Sequence, residues 1–167
     1  MDRQQLRDVQ APLKARYREE PETAVVTLRA EGTLGEGITC SVETGRALAV
    51  AGLHPATGGD GLSLCSGDML LQALAACAGV TLRSVATALE VDLRDGRVKV
   101  EGDLDFRGTL AVDRDAPVGF REIRLTFELD TGAPEEQVAK LIELTERYCV
   151  VLQTIGGSAR LSVDYSA

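Results

Sequence analysis

Four cysteines, Cys40, Cys65, Cys77 and Cys149, and a single histidine, His54, are the side chains of this 167-residue chain best suited to nucleophilic or redox chemistry. A thiolate reacts, whereas a buried thiol mostly fills space, so the setting of each sulfur decides its use. Cys40 falls on the inward period of a predicted strand and is expected to be structural. Cys65 immediately precedes a predicted helix, whose unpaired N–H groups would favour a thiolate. Cys77 stands in the middle of that helix between Ala75-Ala76 and Ala78-Gly79, small neighbours that leave room beside the sulfur for a substrate or a second thiol. Cys149 ends a second predicted helix on its core-facing stripe. The C-terminal dipole there opposes ionisation, a setting better suited to resolving an oxidised partner than to attack.

Other chemistries are poorly provided for. One histidine and no C-x-x-C pair give no expectation of a metal site, and no cofactor is expected either. Gly58-Gly59-Asp60-Gly61 lacks the lysine of a phosphate loop and carries an anion instead. A Ser-His-Asp triad could use only His54, and its loop setting singles out no serine. A cysteine hydrolase would need a base that the pattern does not place near Cys77 or Cys149.

The elements that must position these residues follow from hydrophobic period and turn chemistry. Residues 1–22 read as a helical arm, with Leu13 and Tyr17 on one face and Pro12 suited to starting a second helix; residues 23–167 form the main domain. Val26, Leu28 and Ala30 alternate as one strand of a hairpin, followed after Gly35-Glu36-Gly37 by Ile38, Cys40 and Val42. A third strand is expected around Arg46 to Val50, after a turn at Thr44-Gly45. Ser66 is expected to cap a helix with Asp68 in its first turn. That helix runs through Leu70, Leu71, Leu74, Ala78, Leu82 and Val85 to about Glu90, and its apolar middle predicts burial on every side. Val98 to Phe106 and Ile123 to Leu129 alternate as half-buried strands. Pro134 opens an amphipathic helix with the stripe Val138, Leu141, Ile142, Thr145, Tyr148 and Cys149, stopped by Gly156-Gly157. Leu161, Val163 and Tyr165 supply a last strand. The class is α+β with a mainly antiparallel sheet around a long central helix.

Composition narrows the partners. With 44% hydrophobic and 26% charged residues the chain suits one globular domain, and a net charge of -8 argues against nucleic acid. No Trp, 3 Tyr and 3 Phe leave few stacking platforms for bases. The start, Met1-Asp2-Arg3-Gln4-Gln5, leads into no apolar h-region, and the longest nearly apolar run, Met69 to Leu82, has 14 residues, too few to cross a bilayer. The expectation is a cytoplasmic protein with reduced thiols and no membrane association.

At Leu74-Ala75-Ala76-Cys77-Ala78-Gly79-Val80-Thr81-Leu82, with Cys149 following Cys77 by 72 residues in Tyr148-Cys149-Val150-Val151, the sequence resembles the OsmC/Ohr family of osmotically inducible and organic hydroperoxide resistance proteins. The resemblance covers roughly residues 24–165. It implies the OsmC-like fold, an intertwined homodimer with sites at the subunit interface, and reduction of organic hydroperoxides by a two-cysteine cycle fed by an external dithiol such as a lipoyl group. Cys77 matches the peroxidatic cysteine and Cys149 the resolving one. Asp68 falls where many members place a Glu that orients an activating Arg. The loop Thr33 to Gly37 contains no Arg, so Arg29 and Arg46 are the nearest substitutes, and Val150 stands where a Pro commonly follows the second cysteine. An apolar surround from Leu74, Leu82 and Tyr148 would favour organic peroxides. The competing expectation is a dimeric small-molecule binding protein on the same fold without turnover: the missing loop Arg favours it, and retention of both cysteines favours the enzyme.

Overall fold

The computed structural model describes residues 2–19, 32–34, 39–43, 48–111, 113–157 and 159–166. The expected first strand, Ala24 to Ala30, the turns at Gly35-Glu36-Gly37 and Thr44-Gly45, and both Arg29 and Arg46 lie outside the described residues. The chain divides into two compact units, one of residues 1–72 and 100–125, the other of residues 73–99 and 126–167.

The first unit begins with α1, Arg3–Glu19, a single helix where Pro12 suggested a restart. Its N-terminus is closed by a reciprocal pair: Gln5 N–H donates to Asp2 Oδ1 at 2.8 Å, and Asp2 N–H donates to Gln5 Oε1 at 2.9 Å. A proline inside the helix removes one donor to the preceding turn, and the helix continues across that gap. A four-stranded sheet follows in the order β1 (Gly32–Leu34), β2 (Thr39–Glu43), β3 (Leu48–Gly52), β4 (Leu64–Cys65). The first two pairings are antiparallel, with Leu34 opposite Cys40 and Cys40 opposite Ala51; β4, which no periodicity announced, pairs parallel to β3 with Gly52 opposite Cys65. Between β3 and β4 a 3₁₀ turn at Pro55–Thr57 is pinned by His54, whose Nδ1 accepts the Ala56 N–H at 3.0 Å.

The long helix α2, Ser66–Leu89, has Ser66 as its first helical residue, so Cys65 takes the preceding position. It ends at Glu90, held at φ 57°, where Val91 N–H donates back to the Ala86 carbonyl at 2.9 Å and closes the last turn. By length and composition its 24 residues could cross a membrane. That span exceeds the 14-residue run because Val85, Ala86 and Ala88 extend the apolar stretch past a single Arg83. Its stripe of Leu74, Ala78, Leu82 and Ala86 is nevertheless buried by the protein's own core.

β5 (Leu93–Leu104) and β6 (Phe120–Thr131) form a two-stranded sheet. Phe106, expected to extend β5, instead opens the one-turn helix α3, Phe106–Thr109, because Asp105 accepts the Arg107 N–H and caps it. In the second unit, Leu82, Ala86, Val91, Leu93 and Leu141 form the buried core, with Phe127, Leu129 and Ile142 packed against it. Outside that core, Arg94 pairs with Asp130 and Lys99 with Glu128 across the sheet.

Three expectations change in this unit. α2 is buried along one stripe only: Val80 is 73% exposed, because the chain's own elements cover just one side of the helix. The second amphipathic helix is two helices, α4 (Glu135–Tyr148) and α5 (Val150–Gly156), divided at Cys149, whose backbone is extended at φ -73°, ψ 104°. Residues 159–166 form no strand; Leu161, Val163 and Tyr165 are almost fully exposed, since their alternation meets no sheet edge among the described residues.

Candidate functional site

Cys77 and Cys149 meet within the second unit, and the break between α4 and α5 is what joins them. At a helix start the first N–H groups have no partner within the helix. The extended backbone at Cys149 ends α4, with Cys149 N–H still donating to the Thr145 carbonyl at 2.9 Å, and begins α5 with the free N–H groups of Val150, Val151 and Leu152. Below them, Thr145 is fully buried and satisfies its hydroxyl on the Leu141 carbonyl at 2.7 Å.

The two thiols differ in proton affinity. Burial works against a charged Cys77. It is overcome by the N–H of Val151, the thiol of Cys149, the N–H of Val150 and the hydroxyl of Thr81, so Cys77 ionises below the ordinary cysteine range. Cys149 is completely buried, and burial raises it. The N–H groups of Leu152 and Val151 oppose that rise, while proximity to Cys77 adds to it. Cys77 is therefore the more readily ionised thiol of the pair, and Cys149 is the donor in the hydrogen bond between them. The expected direction for Cys149 holds, with burial rather than a helix C-terminus as its main cause.

Thr81 was not singled out in the sequence, although four residues along a helix return to the same face as Cys77. The amides of Val150 and Val151 carry no side-chain signal and were missed. The expected lining also changes. Leu74 and Leu82 are buried in the core, whereas Tyr148 is 57% exposed and Val150, next to Cys149 in the chain, is exposed as well. The Arg147 guanidinium lies over the Tyr148 ring, 5.6 Å from its centre.

The remaining candidates lie in the first unit. Asp68 is in the first turn of α2 and shares a cavity with His54 and Cys65. Cys40 is in β2. Among the described residues no group of three or more His, Cys, Asp or Glu side chains could hold a metal ion.

Comparison with known proteins follows this geometry. The family model described as OsmC-like protein matches residues 58–164. No curated protein matches the chain. Among solved structures, the chain is similar to an OsmC-like protein from Mycoplasma pneumoniae at TM-score 0.67 and 20% identity, covering 79% of this chain and 89% of that one. It is also similar to an organic hydroperoxide resistance protein OsmC from Legionella pneumophila, with TM-score 0.62, 19% identity, and 80% and 91% coverage. An organic hydroperoxide resistance protein from Elizabethkingia anophelis aligns with TM-score 0.62, 16% identity, and 80% and 90% coverage.

Proposed function

The chain belongs to the OsmC-like protein family, and from that premise we propose that it reduces organic hydroperoxides through a cycle in which Cys77 attacks and Cys149 resolves. The observation that carries this reading is the paired thiols of opposite proton affinity at the α4–α5 break. The Cys77 thiolate attacks the terminal peroxide oxygen; a sulfur–oxygen bond forms, the oxygen–oxygen bond breaks, and the alkoxide leaves and is protonated to the alcohol. Cys77 is then a sulfenic acid. Cys149 attacks its sulfur, a disulfide forms and water leaves, and an external dithiol, a lipoyl group in this reading, restores both thiols by two exchanges. The names of the Legionella and Elizabethkingia proteins support a hydroperoxide as substrate.

The reading extends to a cytoplasmic homodimer with neither nucleic acid nor membrane as partner. One stripe of α2 is buried, whereas Val80 and the alternating Leu161, Val163 and Tyr165 are left open, and a second copy would cover them. Asp68 enters the proposal as the carboxylate that holds an activating arginine, Arg29 or Arg46. A specific observation favours the second reading, a binding protein without turnover: the groups that stabilise the Cys77 thiolate among the described residues are all neutral.

Stoichiometric cumene hydroperoxide followed by peptide mapping tests the choice. The enzyme gives a reversible Cys77–Cys149 disulfide, and in Cys149→Ser it gives a persistent sulfenic acid at Cys77. Folded, reduced protein that forms neither species supports the binding protein.

A further inference from the structure

Two sulfurs held in contact can bind one atom between them. Cys77 and Cys149 come from elements far apart in the chain, α2 and the α4–α5 break, yet each is a hydrogen-bond partner of the other. Both are free thiols, Cys77 half-buried and Cys149 fully buried. A ligand arriving from solvent therefore meets Cys77 first and finds Cys149 in contact with it. The first unit has no such pair: Cys40 in β2 and Cys65 in β4 are separated by β3, two strand spacings of about 4.8 Å each.

The surroundings of the pair decide which atom that is. A closed zinc site takes four ligands, and among the described residues no group of three or more His, Cys, Asp or Glu side chains could hold a metal ion. The other groups at the sulfurs are the N–H groups of Val150, Val151 and Leu152 and the hydroxyl of Thr81. Burial is the largest influence on both sulfurs, and it disfavours charge at each. A matching ligand makes two bonds to sulfur, asks for no third protein ligand and leaves the pair neutral. Trivalent arsenic carrying one organic substituent meets all three conditions: carbon fills one of its three bonds, and its two hydroxyl groups exchange for thiols.

We propose, on the same pairing of sulfurs that the proposed cycle needs but independently of peroxide attack, that Cys77 and Cys149 together bind monosubstituted trivalent arsenicals, the arsonous acids. The Cys77 sulfur attacks arsenic, an arsenic–sulfur bond forms, one arsenic–oxygen bond breaks, and the departing hydroxide leaves as water with the thiol proton. Cys149 repeats the exchange at the same arsenic. The product is a neutral cyclic dithioarsonite, two waters are released, and arsenic stays trivalent, so no oxidant or reductant takes part. Because the second bond is intramolecular, the pair holds arsenic about 10²–10⁴ times more tightly than one sulfur does. With both sulfurs occupied neither can serve the cycle, so such a compound switches the site off until a competing dithiol removes it.

Reduced full-length protein is given one equivalent of phenylarsine oxide, which hydrates to phenylarsonous acid, and intact mass is read after excess 2-mercaptoethanol and again after 2,3-dimercaptopropanol. The adduct should survive the monothiol and yield to the dithiol, and it should protect both Cys77 and Cys149 from iodoacetamide. Cys77→Ser should release the arsenical at about a hundredfold less 2-mercaptoethanol, the low end of the gain from a second bond, whereas Cys65→Ser should match the unmodified sequence. An adduct stripped from the unmodified sequence by the monothiol, equal retention in Cys77→Ser, or zinc chloride that keeps the arsenical out at equal concentration overturns the proposal. Protein that retains the arsenical but forms neither disulfide nor sulfenic acid with cumene hydroperoxide keeps this site and loses the proposed cycle; protein that forms the disulfide but does not retain the arsenical loses this site alone.

Discussion

Replacing Val150 with proline removes one hydrogen-bond donor from the Cys77 thiolate and nearly nothing else. Val150 is the first residue of α5, a position whose N–H has no partner within the helix and whose backbone angle proline prefers. The residue before a proline must be extended, and Cys149 already is, at φ -73°, ψ 104°. The valine side chain is 68% exposed, so little packing is lost. What disappears is the Val150 N–H, one of the groups that hold Cys77 in its charged form. A hydrogen bond to a charged group is worth about 1.5–3 kcal/mol. Because three other donors remain, the lower end applies, and about 1.4 kcal/mol is tenfold in the thiolate–thiol equilibrium. The sign is upward: Cys77 in the proline variant holds its proton to higher pH. A more basic thiolate is also about threefold more nucleophilic, so below the midpoint the net loss in iodoacetamide rate is roughly threefold, and it reverses to a roughly threefold gain at high pH where both forms are ionised. Alkylation of Cys77 across pH 5 to 10, read by mass spectrometry, measures this, with Val150→Ala as the control that retains the N–H. An unmoved pH profile in folded Val150→Pro refutes the assignment of that amide to the thiolate.

The same alkylation assay in Thr81→Val should move the Cys77 midpoint upward and leave Cys65 unaffected. In Cys77→Ser the Cys149 midpoint should fall, because Cys77 is among the groups that raise it. Leu141→Ala, which truncates a fully buried side chain in the second unit, should cost about 2–5 kcal/mol of unfolding free energy in urea titration. Ala111 sits at φ 56°, and Ala111→Gly should add about 1 kcal/mol by relieving that backbone in the same titration.

How much of this could be read from the sequence depended on whether side chains or backbone did the work. The period-two runs gave β5 and β6, and the helical stripes gave α2 and α4, because alternating burial leaves its mark on residue type. Cys77 and Cys149 were legible as candidates for the same reason: sulfur is a side-chain property. The break at Cys149 was not, since Val138 to Cys149 keeps helical spacing and Val150 to Gly156 continues it. Neither glycine nor proline marks the one extended residue between them. Phe106 misled for a related reason, as its alternation with Asp105 fits a strand and Asp105 acted through its cap instead. The parallel partner β4 is two residues long, too short to carry a period. Apolar composition overstated burial of α2, because residue type reports that a face is apolar and not which chain covers it.

The break also sets the order of events on the proposed cycle. Both sulfurs draw on the same first turn of α5, with Val151 serving each of them, Val150 serving Cys77 and Leu152 serving Cys149. In the reduced pair Cys77 ionises before Cys149, and its charge, together with the hydrogen bond Cys149 gives it, raises Cys149. A second thiolate beside the first would be repelled and would compete for the same amides. Once Cys77 has taken an oxygen atom and become a neutral sulfenic acid, its charge no longer raises Cys149. Burial is then opposed only by the Leu152 and Val151 amides, and the proton on Cys149 is held less tightly than before. The resolving thiol thus becomes more acidic when its target forms, and it is kept from ionising while the attacking thiolate is still needed.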